Sequence, residues 1–255
     1  MSGAPAAEAR QHGAMEFSAA PTDLHAVRRY RLDRIRNELA QRDLAGILLY
    51  DQLNTRYAVD ATNMQLWCLH NETRYVFVPT EGPVILFDYG RCNHLAADLP
   101  LIDEIRPAKA FFYFAAGPTF ADRVKPWAAE IADLVARYGG GVRRLAVDRV
   151  APIGMQALES HGLTLFDGFA VMEQARKIKS EGEIALMRKA VAAAEDGMAG
   201  MRAVMTPGVT ENAIWAELHR ANIAAGGEWI ETRLLSSGPR TNPWFREASI
   251  RPVEA

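Results

Sequence analysis

Residues 226–245, GGEWIETRLLSSGPRTNPWF, concentrate the side chains of this sequence that can do chemistry. Trp229, Trp244 and Phe245 stand there with Arg233, Arg240, Glu228 and Glu231 among β-forming residues. Aromatic faces attract cations and guanidinium groups pair with carboxylates, so the mixture suits a small-molecule site better than a core strand of Val, Ile and Leu. An amphipathic edge strand with one solvated face fits the same pattern. A second candidate is Trp67, in the segment 60–73, DATNMQLWCLHNET, which follows neither a helical nor an alternating period. Read as a loop, its Met64, Leu66 and Trp67 either pack under a sheet or reach into a pocket or a partner, because exposed apolar groups cost solubility.

Other constellations fail on spacing. His70-Asn71-Glu72 has the H-x-E half of a zinc deaminase, but no P-C-x-x-C follows. Cys68 and His70 alternate like strand neighbours, yet two ligands do not make a metal site. The six histidines are scattered. The glycines at 139–141 lack the Lys-Ser/Thr of a phosphate loop, and neither G-x-G-x-x-G nor G-x-S-x-G occurs.

The elements that must position these residues are legible by period. Leu24, Val27, Ile35 and Leu39 share one helical face, flanked by arginines expected to be solvated. AGILLY at 45–50 is a buried strand, and Asp51 and Asn54 offer caps to a short helical turn after it. Strands at 74–79 and 83–88 form a hairpin across Thr80-Glu81-Gly82, with further strands expected at 102–106 and 111–114. A helix over 119–138, a strand at 145–148, a helix over 152–161 and a strand at 163–166 complete an α/β pattern with a mixed sheet. Ser180-Glu181-Gly182-Glu183 is a capping box opening a helix over 181–205, with Ile184, Met187, Val191, Ala194 and Met198 as its buried stripe. Thr210 caps a last helix, 211–225, expected to bury Ile214, Leu218 and Ile223 before 226–245 continues as strand and loop.

Composition excludes several classes. The sequence has 255 residues, a net charge of −2 and 49% hydrophobic residues, so it can bury a large core and carries no electrostatic footprint for nucleic acid or an anionic membrane. Two cysteines without ligand spacing read as reduced thiols in a cytoplasmic protein, and no apolar run reaches membrane-spanning length. Residues 1–21, rich in Ala and Gly, lack the plan of a secretory signal and read as a disordered leader or an arm over a neighbouring subunit.

Arg176-Lys177-Ile178-Lys179-Ser180-Glu181-Gly182-Glu183-Ile184, followed by Met187-Arg188-Lys189-Ala190, resembles the start of the second domain in the creatinase, prolidase and aminopeptidase P family. Pro207-Gly208-Val209-Thr210-Glu211 is similar to that family's turn before its second helix, and residues 47–58 to its first strand and turn. The resemblance implies an α/β creatinase-type N-terminal domain over 22–172. It also implies that 173–255 begin an α+β "pita-bread" catalytic domain that is incomplete here. Within the family, Asn63-Met64-Gln65-Leu66-Trp67 and 226–245 look most like the branch that cleaves dimethylsulfoniopropionate to dimethyl sulfide and acrylate. Peptidases of the family carry a His shortly after the Ser-Gly-Pro turn. Here Ser237-Gly238-Pro239 leads instead to Trp244 and Phe245. Indole and phenyl cannot shuttle a proton at a scissile amide, but they suit a sulfonium cation.

Several expectations follow from the resemblance. The substrate is a small molecule lined by Trp67, Trp229, Trp244, Phe245 and Arg240, the assembly is a homodimer, and neither nucleic acid nor membrane is a partner. The whole enzyme would carry a divalent metal pair, iron by the resemblance, whose Asp, His and Glu ligands lie beyond the part matched here. No catalytic or metal-ligating residue is therefore assigned in 1–255, and the chain is expected to be the inactive N-terminal portion of a longer lyase. An Xaa-Pro peptidase or creatinase-like hydrolase fragment, and a non-catalytic pita-bread binding module, are the alternatives.

Overall fold

The computed structural model describes residues 22–255, so the leader expected over 1–21 lies outside the described residues. Asp23 caps the first helix, α1 (Leu24–Gln41), its carboxylate accepting from the amides of His25 (3.0 Å) and Ala26 (3.1 Å). The apolar run that follows forms β1 (Gly46–Leu49), and Asp51 caps α2 (Gln52–Val59) in the same manner through Leu53 and Asn54. The hairpin is β2 (Tyr75–Pro79) and β3 (Ile85–Asp88), antiparallel with Val76 opposite Leu86. Gly82 turns it at φ +110°, a region closed to most side chains. Then come β4 (Glu104–Pro107), α5 (Phe120–Tyr138), β5 (Arg144–Val147), α6 (Pro152–Ser160), β6 (Thr164–Asp167) and α7 (Gly168–Lys177). The short helices α3 (Gln65–His70) and α4 (Tyr113–Ala116) precede β2 and α5.

Among the described residues the strands form one six-stranded sheet in the order β4-β3-β2-β1-β5-β6. The β1–β2 and β2–β3 pairs are antiparallel and the other three parallel, so the sheet is mixed, as the alternation of elements predicts. The two-residue strand period divides the core. Ile47, Leu49, Val76 and Val78 face Ile35 and Leu39 of α1 and Met172 of α7. Leu48, Phe77 and Phe87 face the other way, onto Trp127, Ile131 and Leu134 of α5 and Leu158 of α6. Trp127 is fully buried, and a large apolar side chain in that state contributes roughly 1.5–3 kcal/mol relative to exposure.

The second unit begins with the expected capping box. The Ser180 hydroxyl accepts from the Glu183 amide (3.2 Å) while the Glu183 carboxylate accepts from the Ser180 amide (3.0 Å), opening α8 (Glu181–Val204). Thr210 caps α9 (Glu211–Ala224), which packs back on α8 so tightly that a Cβ at Gly197 would lie 2.6 Å from Leu218 Cδ1. No helix among the described residues is long and apolar enough to cross a membrane.

Six expectations need correction. The segment around Trp67 is helical, because Met64 adopts φ +54° and the chain turns there into α3. Residues 111–114 add no strand: Phe111 is buried and the chain turns at once into α4. Residues 226–245 form no ladder strand. They hold only an isolated bridge from Leu234 to Glu247 and a 3-10 turn, Gly238–Thr241. The α8 stripe is exposed at Met187, Val191 and Met198, since α9 covers a different face, the one bearing Gly197. Ile223 of α9 is likewise exposed. Finally, the α1 arginines are not simply solvated. Arg28 pairs with Asp60 (2.6 Å), Arg31 with Glu183 (2.8 Å), and Arg34 donates to the carbonyls of Gln174 and Ala175. They fasten α1 to α2, α7 and α8.

Candidate functional site

The segment 226–245 is held from beneath by Glu211, in the first turn of α9. Its side chain is buried and accepts from the Ser237 amide (2.7 Å) and hydroxyl (2.8 Å), the Ser249 amide (3.1 Å) and hydroxyl (2.7 Å), and the Arg240 guanidinium. Burial alone would raise this carboxyl's pKa. The hydrogen bonds from Ser249 and Ser237 and the charge of Arg240 overcome that and hold it down to about 2. Arg240 also donates to Ser249 Oγ (2.6 Å) and to the Glu247 carbonyl (2.8 Å). The carboxylate it meets in this structure is Glu211's, and through Nη1 and Nη2 it fixes the Ser237-Gly238-Pro239 turn. Sequence reasoning missed Glu211. Its signal was only an acidic residue directly after a Thr cap, which ordinarily means a helix dipole partner.

Beyond that turn the chain runs through a cis Asn242–Pro243 peptide to Trp244 and Phe245. Their rings lie 3.8 Å apart between centroids and are tilted by 31°, and both are well exposed. Phe245 has φ +72°, a conformation that disfavours bulky side chains.

The Trp67 side is positioned from the sheet. Arg74, buried directly before β2, forks onto Asp88 at the end of β3, Nε to Oδ2 (3.2 Å) and Nη2 to Oδ1 (3.1 Å), and also donates to the Asn63 carbonyl. That pair anchors the turn from which α3 springs. Trp67 on α3 is partly exposed and meets Phe114 edge-on at 6.0 Å. Cys68 is buried with its sulfur 3.3 Å from the Tyr89 hydroxyl, a packing role for the thiol. One turn back, Gln65 is buried and its Oε1 accepts from Trp229 Nε1 at 3.1 Å, while Arg56 of α2 pairs with Glu228 at 2.9 Å.

The structure thus brings Trp67 and Trp229 to the same short helix, through Gln65. Trp244 and Phe245 form a separate aromatic pair, and among the described residues no ring contact joins the two groups. A further buried polar group lies at the ends of β1 and β5. Burial pushes the Asp148 carboxyl up to about 6 although it accepts from the Tyr50 amide (2.7 Å), Asn54 Nδ2 (3.0 Å) and the Asp51 amide (3.1 Å). Burial also raises Glu72, opposed by Arg149. Asp148 is spent on holding β1 to α2.

Among the described residues no three His, Cys, Asp or Glu side chains converge as metal ligands. Glu211, the best-hydrogen-bonded carboxylate near the aromatic segment, is surrounded by donors and not by other acceptors. The metal pair that the resemblance implies does not fit these residues, and no step is derived through it.

Against known proteins, residues 31–178 match the Creatinase/Prolidase N-terminal domain family. The chain is 42% identical over 237 residues to a dimethylsulfoniopropionate lyase, DddP, of Roseovarius nubinhibens, and 43% identical over 234 residues to the Roseobacter denitrificans protein of the same name. Those alignments take in 91% and 90% of this chain but 53% and 52% of the relatives, so the chain spans about half the length of the curated relatives it matches. Among solved structures it superposes on dipeptidase PepE of Mycobacterium ulcerans with a TM-score of 0.62 at 22% identity, covering 90% of this chain and 58% of that one. On the prolidase of Pyrococcus horikoshii the TM-score is 0.63 at 17% identity, covering 88% and 57%. These likenesses establish the fold, a creatinase-type sheet continued by part of a pita-bread domain. On the match over 31–178, together with the mixed sheet that carries it, the chain belongs to the creatinase/prolidase N-terminal domain family.

Proposed function

We propose that this chain is the N-terminal portion of a dimethylsulfoniopropionate lyase that releases dimethyl sulfide and acrylate by β-elimination. The observation that carries the reading is the Trp244–Phe245 pair following the Glu211-held Ser237-Gly238-Pro239 turn, where peptidases of this family keep a histidine. The 42% identity to a protein named as that lyase supports it. In this reading residues 22–172 are the creatinase-type domain and 173–255 the beginning of the catalytic one, and the protein works as a cytoplasmic homodimer. The proton-abstracting base and the divalent metal pair, iron by the resemblance, belong to the portion of the relatives that this chain does not match.

The contribution of this chain is to bind and orient substrate. Exposed indole and phenyl faces at Trp244 and Phe245 offer cation–π attraction to a sulfonium, and Trp67 and Trp229 supply further aromatic lining. Arg240 acts through Glu211, as the clamp that sets the turn.

The test is a fusion of this chain to the part of the Roseovarius nubinhibens relative that it does not match, assayed with added divalent metal. Dimethyl sulfide release from dimethylsulfoniopropionate is the expected result. Hydrolysis of an Xaa-Pro dipeptide without dimethyl sulfide would replace this reading with a peptidase one.

A further inference from the structure

Helix α8 carries an apolar seam that no other element covers among the described residues. Met187, Val191, Ala194, Met198, Met201 and Met205 follow one another at alternating intervals of four and three. That is the narrow seam by which one helix grips another, whereas a helix laid on a broad core carries a wider stripe. Met187, Val191 and Met198 are 54%, 56% and 66% exposed. α9 does not reach them. It lies against Gly197, where a Cβ would stand 2.6 Å from Leu218 Cδ1, roughly a quarter turn round α8 from the seam.

Two observations decide what covers the seam. The first is charge. With Val191 and Met198 at the a positions of a heptad and Met187 and Ala194 at d, the e positions beside them are Arg188 and Glu195, both exposed. Among the described residues the one ion pair made from α8 is that of Glu183 with Arg31, so Arg188 and Glu195 are unpaired within the chain. When two copies of α8 run antiparallel, a faces d. Met187 then meets Met198 of the second copy and Val191 meets Ala194, each contact repeated by the two-fold axis. The same register sets Arg188 of each copy beside Glu195 of the other, so both flanks attract. In a parallel pair Glu195 would face Ala190 and gain nothing. The second observation is a groove of about 470 Å³ between α7 and α8, at the N-terminal end of the seam. Leu186, Met187 and Ala190 form its apolar wall, and Arg176, Lys177 and Lys179 its charged one. The antiparallel register brings the last turn of the second copy's α8 to this groove, and the partial negative charge of a helix C-terminus favours cations there.

We infer that two copies of this chain pair antiparallel through α8, in an isologous interface of apolar seam and crossed Arg188–Glu195 ion pairs. Methionine suits such a seam, because its unbranched side chain fills irregular gaps. The inference goes beyond the lyase reading and stands on α8 alone. Its test reads association and not activity, so the two fail separately.

Sedimentation equilibrium of the 255-residue chain, from about 1 µM to about 1 mM, is expected to show monomer and dimer in reversible exchange, since so short a seam lies at the weak end of specific interfaces. Arg188→Glu sets like charges on both flanks, and so does Glu195→Arg. Each variant alone should dimerise at least about tenfold more weakly than the parent. An equimolar mixture of the two restores opposite charges on both flanks and should recover the parent affinity to within about threefold. Lys189→Glu, on the side of α8 away from the seam, should leave the affinity unchanged. All three side chains are exposed, so the variants keep the parent's fold, checked by equal unfolding midpoints. A chain that stays monomeric leaves the seam to the portion of the relatives that it does not match, and overturns the inference. Single variants as tight as the parent, a mixture no tighter than its components, or Lys189→Glu as damaging as Arg188→Glu also overturn it.

Discussion

At the scale of single residues, two buried carboxylates respond to acid in opposite senses. Glu211 is held well below its ordinary value of 4.5, at about 2, so its folded state prefers the charged form. The stability it contributes is complete above about pH 4.5 and is lost as pH falls towards 2. Asp148 is raised from 3.8 to about 6 by burial, so it holds its proton more tightly when folded, and its share of stability declines as pH rises through that interval. Equilibrium unfolding of Glu211→Gln should therefore show a shallower loss of stability between pH 4.5 and 2 than the parent chain. An unaltered slope would place the acid sensitivity elsewhere. Glu211→Ala removes an acceptor shared by two serines and a guanidinium, and should cost about 3–5 kcal/mol in urea unfolding, the range for breaking a buried charged pair. The same change should sharpen limited proteolysis within 232–249, because the turn loses its anchor.

At the scale of elements, the Arg74–Asp88 pair is the link between sheet and candidate site. Arg74, just before β2, reaches to Asp88 on β3 and to the Asn63 carbonyl, and α3 with Gln65 and Trp67 follows that carbonyl. Arg74→Met leaves Asp88 buried and unpaired and is expected to cost about 3–5 kcal/mol, whereas Arg74→Met with Asp88→Leu should recover most of it. Chemical denaturation of the two variants checks this, and recovery of stability without recovery of the Gln65–Trp229 contact would show that the arginine positions α3 besides stabilising the sheet. This is also where the sequence stops being legible. The strands β1, β2 and β3 announce themselves as continuous apolar runs, buried on both faces, and helix α5 by its helical period. Met64-Gln65-Leu66-Trp67-Cys68 has no period, since Gln65 and Cys68 are buried while Leu66 and Trp67 are exposed, on a helix too short to show a stripe. Residues 226–245 read as a strand because their residue types favour one. They form none because beyond the Leu234–Glu247 bridge the backbone is turned aside by Gly238-Pro239 and held by side chains. Arg240 was legible as a guanidinium seeking a carboxylate, but not that its partner sits on α9, 29 positions earlier.

At the scale of the whole molecule, the two units differ in how they bury apolar surface. The α/β unit closes both faces of its sheet with helices, whereas α8 leaves Met187, Val191 and Met198 exposed, and Ile223 and Ile250 are exposed as well. Exposed apolar groups in such number favour association. The chain should bind a hydrophobic dye and elute broadly in size exclusion, and Met187→Lys/Met198→Lys should narrow the peak without lowering the unfolding midpoint. The expectation that this stripe is buried came from helical period alone, which identifies an apolar face without saying whether anything covers it.

The central claim is that the aromatic pair behind the Glu211-held turn grips a sulfonium where peptidases keep an imidazole. In the fusion with the unmatched part of the Roseovarius relative, kcat/KM for dimethylsulfoniopropionate in the parent should be compared with Trp244→Ala/Phe245→Ala, both checked for equal unfolding midpoints. Loss of cation–π attraction predicts a fall of roughly tenfold. An unchanged kcat/KM in a folded double variant would contradict the account.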